Sequence, residues 1–98
     1  MYSYDVKVLP KETSLWGGAG ITIPIMSNSL LICRNDELGV PLKLFTKKSP
    51  TSEDQYGTLA PGETYIFRLN EVTLIGAETT DEKSDSMVRC TIVCPQPN

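Results

Sequence analysis

The chain has 98 residues, 40% hydrophobic and 21% charged, which is the size and composition of one globular domain spanning residues 1–98 and not of a disordered chain. Twelve acidic against nine basic side chains leave a net charge of -3, which argues against a nucleic-acid partner, because phosphate binding rests on a clustered cationic surface. No run approaches the ~20 apolar residues of a membrane span, and the absence of histidine removes the commonest general base and metal ligand of neutral pH.

The start of the chain, Met1-Tyr2-Ser3-Tyr4-Asp5, has neither the basic region nor the apolar run of a signal peptide, so a cytosolic protein is expected unless a leader was removed. Three cysteines, Cys33, Cys90 and Cys94, cannot form a complete set of internal disulfides, and reduced thiols are the simplest expectation. From Tyr2 to Leu9 apolar Tyr2, Tyr4, Val6 and Val8 alternate with Ser3, Asp5 and Lys7, a strand pattern that ends where Pro10 removes a backbone donor. Lys11 to Gly20, with Gly17, Gly18 and Gly20, is expected to be a loop. Ile21, Ile23 and Ile25 alternate with Thr22 and Pro24, which predicts an edge strand, since proline is tolerated mainly at edges and bulges.

Leu30 to Cys33 is a continuous apolar run that predicts a central strand buried on both faces, followed by turn-forming Arg34, Asn35, Asp36 and Glu37. Leu42, Leu44 and Phe45 then resume an extended pattern, and the two segments together read as a hairpin. Thr46 to Thr58 is polar and reads as the longest exposed loop. Ala60-Pro61-Gly62-Glu63 predicts a type II turn, with φ preset at Pro61 and positive φ allowed at Gly62. Strands are expected at Thr64 to Leu69 and Val72 to Glu78, then a loop over Thr79 to Ser86. A last strand carries Val88, Cys90, Ile92 and Cys94 on one face, and Pro95 to Asn98 is expected to be a mobile tail. Helical periodicity is absent, so the expected fold is all-β: a small antiparallel β-sandwich, or an open barrel, of about seven strands.

The chemistry of catalysis is sparse. No Ser-His or Cys-His nucleophile exists without histidine. Cys90 and Cys94 have the spacing of one zinc-ligand pair, but on a strand they share a face with Val88 and Ile92 as small core residues, so no metal is expected. The acidic pairs Asp36/Glu37, Glu53/Asp54 and Asp81/Glu82 fall in expected turns or loops, where solvation accounts for them, and Asp81, Glu82 and Asp85 lack the spacing and glycine of a calcium loop. Gly17-Gly18-Ala19-Gly20 is not followed by the Gly-Lys-Ser/Thr of a phosphate loop. Lys43, Lys47 and Lys48 read as a solvated strand end. No catalytic residue and no cofactor is expected, and the chain does not read as an enzyme. The two side chains that stand out as binding candidates are Trp16, of a type enriched in interface hot spots, and Tyr56.

Leu30 to Cys33, Arg34-Asn35 leading into a turn, Val40 to Phe45, and Leu59-Ala60-Pro61-Gly62-Glu63 feeding Tyr65-Ile66-Phe67 together resemble small β-sandwich domains common among bacteriophage virion proteins and other accessory binding modules. The resemblance is one of strand order and a single turn, and it carries over no functional residue. It implies a non-enzymatic structural or interaction protein, a homo-oligomeric decoration, knob or adaptor subunit. The implied partners are other protein subunits, with no nucleic acid and no membrane, and the implied location is the host cytoplasm during assembly and then the virion. Two other classes stay open: an accessory module binding carbohydrate or protein, with Trp16 and Tyr56 as its platform for a glycan, and a small inhibitor of a host enzyme.

Overall fold

Side chains that alternate along an extended backbone can bury one face only if a second sheet covers it, and here two four-stranded antiparallel sheets do so. The structure is a computed structural model that describes residues 2–17, 29–49, 52–69 and 74–93. Within them run eight strands: β1 (Tyr2–Val8), β2 (Thr13–Gly17), β3 (Leu30–Asn35), β4 (Leu42–Ser49), β5 (Ser52–Leu59), β6 (Thr64–Arg68), β7 (Leu74–Thr79) and β8 (Ser86–Val93). Sheet A has the order β1-β8-β3-β6 and sheet B the order β2-β7-β4-β5.

The pairs β1·β8, β2·β7, β3·β6 and β4·β5 set the described strands out as one long hairpin that doubles back between β4 and β5. Pairing of β8 with β3 and of β7 with β4 then rolls that hairpin into two layers. This is the eight-stranded jelly-roll arrangement, and it is a sandwich and not a barrel. Its core is one cluster with contributions from both sheets, among them Leu31, Cys33, Val88, Cys90 and Ile92 from sheet A and Leu15, Leu42, Leu44, Ile75 and Ala77 from sheet B. Each fully buried leucine or isoleucine contributes about 2 kcal/mol relative to exposure.

Four connections, 9–12, 36–41, 60–63 and 80–85, cross between the sheets at one end of the roll. They are stitched together by backbone bonds from Thr79 N–H to the Leu9 carbonyl and from Thr80 N–H to the Pro41 carbonyl. At their centre sits Asn35, which is 0% exposed. Its Nδ2 donates to the carbonyls of Val40 at 2.9 Å and Leu59 at 3.2 Å, and its Oδ1 accepts from the Ser86 hydroxyl. Its backbone N–H donates to the Glu63 carbonyl and its own carbonyl accepts from Gly62 N–H. One residue thus ties together β3, the 36–41 connection, the end of β5, the 60–63 turn and the start of β8. That turn is as expected: Glu63 N–H closes onto the Ala60 carbonyl at 3.0 Å, and Gly62 has φ 82.

Several expectations are corrected. The stretch from Lys11 to Gly20, expected to be a loop, contains β2, where a bulge between Ser14 and Trp16 turns Leu15 and Trp16 into the core together and so erases the alternation. Of the polar stretch Thr46 to Thr58, expected to be a loop, residues 46–49 are the far half of β4 and residues 52–58 nearly all of β5. As an edge strand with exposed side chains from Glu53 to Thr58, β5 is held by its ladder to β4 and needs no apolar face. With these two strands, and with the one expected at Ile21 to Ile25 outside the described residues, eight strands are described instead of about seven.

Arg34 and Asn35 belong to β3 and not to a turn, and Leu30 and Ile32 on the outer side of β3 are only half-buried, so this central strand is covered on one face. Nor do β3 and β4 form a hairpin, because they lie in different sheets. The edge strand expected at Ile21 to Ile25, the glycines 18 and 20, Cys94 and the tail Pro95 to Asn98 lie outside the described residues.

Two measurements test this account of the interior. Asn35→Ala leaves two carbonyls and a hydroxyl unpaired in the core and is expected to cost about 3 kcal/mol in denaturant unfolding. Asn35→Asp keeps the volume but cannot donate to those carbonyls, so it is expected to be at least as destabilising at neutral pH. Thr46, 1% exposed, faces Ile75 in the core, and its hydroxyl finds no hydrogen-bond partner among the described residues. Thr46→Val is therefore expected to leave stability unchanged or to raise it by up to about 1 kcal/mol, read as a shift in urea midpoint.

Candidate functional site

The outer faces of the two sheets differ. On sheet B, Phe45 points outward from β4 yet is only 2% exposed, because it lies across Gly76, where any Cβ would collide with its ring. Lys47 sits 5.7 Å from the ring centroid and is paired with Glu12 at 3.1 Å and Glu53 at 3.9 Å. Lys43 and Glu78 stand opposite each other beside them. The outer face of sheet B is therefore closed by a polar layer.

Sheet A has an open outer face. Three rows cross it: Val93-Leu30-Arg68, Ser3-Thr91-Ile32-Ile66 and Asp5-Arg89-Arg34-Thr64. All three arginines of the chain stand on these rows. Ile66 is 55% exposed, and Leu30, Ile32 and Val93 are half-buried around it. At one margin an open depression of about 410 Å³ is lined by Arg34, Arg89, Met87 and Leu38 together with Asp5 and Glu37. Met87 is 43% and Leu38 95% exposed. Of five large hydrophobic side chains that are exposed among the described residues, three lie on or beside this one face.

Arg34 and Arg89 are direct cross-strand neighbours, which by itself is repulsive. Each is neutralised from the other side: Arg89 Nε donates to Asp5 at 2.7 Å and Arg34 donates to Glu37 at 2.9 Å. These pairs are solvent-exposed and contribute little to stability, about 0–1 kcal/mol each. Their consequence is a line of alternating charge beside an apolar row.

Trp16 is 6% exposed and belongs to the core, so its ring is not presented to a partner. Tyr56 is 42% exposed at the bulge of β5, where its ring meets Tyr65 at 5.9 Å and Phe67 at 5.3 Å on β6 and closes the open edge between the sheets. The two do not share a platform, because β2 and β5 are opposite edges of sheet B, about 14 Å apart at ordinary strand spacing. The outer face of sheet A was legible in part: Thr64, Ile66 and Arg68 alternate with Tyr65 and Phe67, and an isoleucine on the polar side of a strand is its signal.

Inside, one row of sheet A reads Tyr4-Cys90-Cys33-Tyr65. Burial, with the neighbouring Cys90 and Cys33, pushes the Tyr4 phenol well above its ordinary value, and its hydroxyl donates to the Leu15 carbonyl freed by the β2 bulge. A hydrogen bond to Cys90 and burial push the Cys33 thiol up as well. Both groups stay protonated at neutral pH and neither acts as a nucleophile there. Of the acidic pairs, Glu53 and Asp54 lie on β5 and not in a loop. Hydrogen bonds from Lys83 N–H and the Ser84 hydroxyl hold the Asp81 carboxyl below its usual value within the 80–85 connection. Among the described residues no three His, Cys, Asp or Glu side chains come together, and no helix is long and apolar enough to cross a membrane.

No protein-family model matches the chain, and no curated protein sequence matches it.

The raised phenol of Tyr4 sets a pH dependence. A group whose pKa is higher folded than unfolded adds stability that is whole below the unfolded value, here 10.0, and is lost as pH rises toward the folded one. Tyr4→Phe is expected to cost about 1 kcal/mol at pH 7, and the gap between the two proteins should close as unfolding is measured at increasing pH above 10.

Proposed function

We propose that this chain is a non-enzymatic structural subunit that self-associates through the outer face of sheet A, a decoration, knob or adaptor component of a bacteriophage particle. The observation that carries the reading is the gathering of all three arginines around exposed Ile66 on one sheet, with Met87 and Leu38 at its margin. Arginine and methionine are enriched in protein interfaces, and contiguous apolar surface rimmed by polar groups marks contact sites. The virion setting rests on the resemblance in strand order and on the jelly-roll topology, which capsid domains and lectins share; topology alone does not assign a function.

Charge favours a second copy as the occupant. Outward positions of the sheet A strands carry four cations, Lys7, Arg34, Arg68 and Arg89, against Asp5; with Glu37 and Asp85, which pair with Arg34 and Lys7 from the flanking connections, the face keeps four basic against three acidic groups and leaves five basic and nine acidic residues for the rest of the chain. Two such faces in direct apposition would set arginine against arginine. The face of one copy meets an acidic surface of the next instead, a head-to-tail contact that closes into a ring. Assembly takes place in the host cytoplasm in this reading.

A second reading, an accessory module that binds a glycan, is favoured only by the exposure of Tyr56 beside Tyr65 and Phe67. Size-exclusion chromatography with light scattering separates the two. The expected result is an oligomer that weakens with salt and that Ile66→Asp dissociates, by at least about 30-fold in association constant, with unchanged circular dichroism. A strict monomer at every concentration sinks the assembly reading, and sugar binding that Tyr56→Ala abolishes would install the other.

A further inference from the structure

Cys33 and Cys90 are both 0% exposed and stand directly opposite each other on β3 and β8. Antiparallel partners alternate between hydrogen-bonded pairs and closer, non-bonded pairs. Asp36 N–H donates to the Met87 carbonyl, whereas Asn35 N–H and Leu69 N–H bond between β3 and β6. Counting back by twos, Asp36 and Arg34 turn their backbone groups toward β8 while Asn35 and Cys33 turn theirs toward β6. Cys33 and Cys90 are therefore a non-bonded pair. At such a pair the Cα atoms are about 4.5 Å apart and the side chains lean together, inside the range that a disulfide spans without backbone movement. Both thiols also face the same interior layer.

We propose that Cys33 and Cys90 form a latent cross-strand disulfide, made by exchange with a small-molecule disulfide such as oxidised glutathione. One cysteine gives up its proton and its sulfur attacks the reagent, breaking the reagent's S–S bond and releasing one small thiol. The second cysteine, also losing its proton, displaces the remaining half of the reagent from the first. Two S–H bonds are lost from the chain and one S–S bond is gained, while the two electrons and two protons leave on two molecules of small thiol.

In the closed sandwich neither thiol is reached by solvent, so the exchange takes place while the β3·β8 ladder is open, during folding or local opening, and the native register then holds the product. The bond crosses the ladder that rolls the hairpin into two layers. It links the chain on either side of everything from β4 to β7, and a cross-link enclosing so long a segment restricts the unfolded chain strongly. A subunit assembled among reducing thiols and later released into an oxidising medium would be locked by it. The proposal does not depend on the assembly reading.

The test uses the full chain carrying Cys94→Ser, so that one pair remains. The protein is unfolded, refolded in a mixture of oxidised and reduced glutathione, quenched with acid, unfolded again in denaturant with iodoacetamide so that any remaining thiol is exposed, and weighed intact. The expected product is lighter by two hydrogens and unalkylated, yields one peptide pair joined through Cys33 and Cys90, and has a higher denaturant midpoint than the same protein reduced. Adding Cys90→Ala should abolish the midpoint difference between oxidising and reducing buffer. Without denaturant, the reaction should be at least about tenfold slower than near the midpoint. Recovery of two alkylated thiols, of glutathione adducts, or of a cross-link that lowers the midpoint overturns the proposal, and equal rates with and without denaturant overturn the closed-thiol route to it.

Discussion

The fold turns on one buried amide. Asn35 uses both of its Nδ2 protons, its Oδ1 and both of its backbone groups on partners from the 36–41 connection, β5, β8 and the 60–63 turn. A hydrophobic side chain of the same size would fill the space but leave those carbonyls unpaired, and an unpaired buried carbonyl costs more than the bond it replaces. The crossings at this end of the roll are consequently registered against one another by directional bonds. Hydrophobic contact between the layers, which is non-directional, could not choose that register alone.

From that register follows the division between the two outer faces. Once β3 is central in sheet A with Leu31, Cys33 and Asn35 inward, Leu30, Ile32 and Arg34 are forced outward. The same parity turns Ile66 and Arg68 outward on β6 and Met87 and Arg89 outward on β8. Sheet B obeys the same parity but folds its one outward aromatic, Phe45, down onto Gly76 beneath Lys47. One layer is thereby finished against water, and the other presents isoleucine and arginine to whatever meets it. Inside, on the row Tyr4-Cys90-Cys33-Tyr65, burial and the neighbouring Cys90 raise the Tyr4 phenol and the Cys33 thiol above their ordinary values, so both stay protonated in the closed sandwich.

Strand character, the absence of histidine chemistry and the Ala60 to Glu63 turn were legible in the residues, because alternation, composition and proline-glycine order act locally and need no partner. The errors have a common cause. β5 reads as a loop because an edge strand held by its ladder needs no apolar face, and β2 lacks a strand's alternation because a bulge sets Leu15 and Trp16 on the same side. Asn35 looked like a turn residue because in most sequences an Asn-Asp pair is one. Only the convergence of three distant segments, around 40, 59 and 86, makes it a core residue.

The sequence by itself determined that the protein is built of short strands and that most of them have one face to bury, since both properties follow from neighbours within a few residues. The tertiary structure alone decided which strands share a sheet, that Trp16 is interior while Ile66 is exposed, and that Cys33 meets Cys90. The reason is that pairing joins residues far apart in the chain, and a period of two says which side of a strand is wet but never which strand lies beside it.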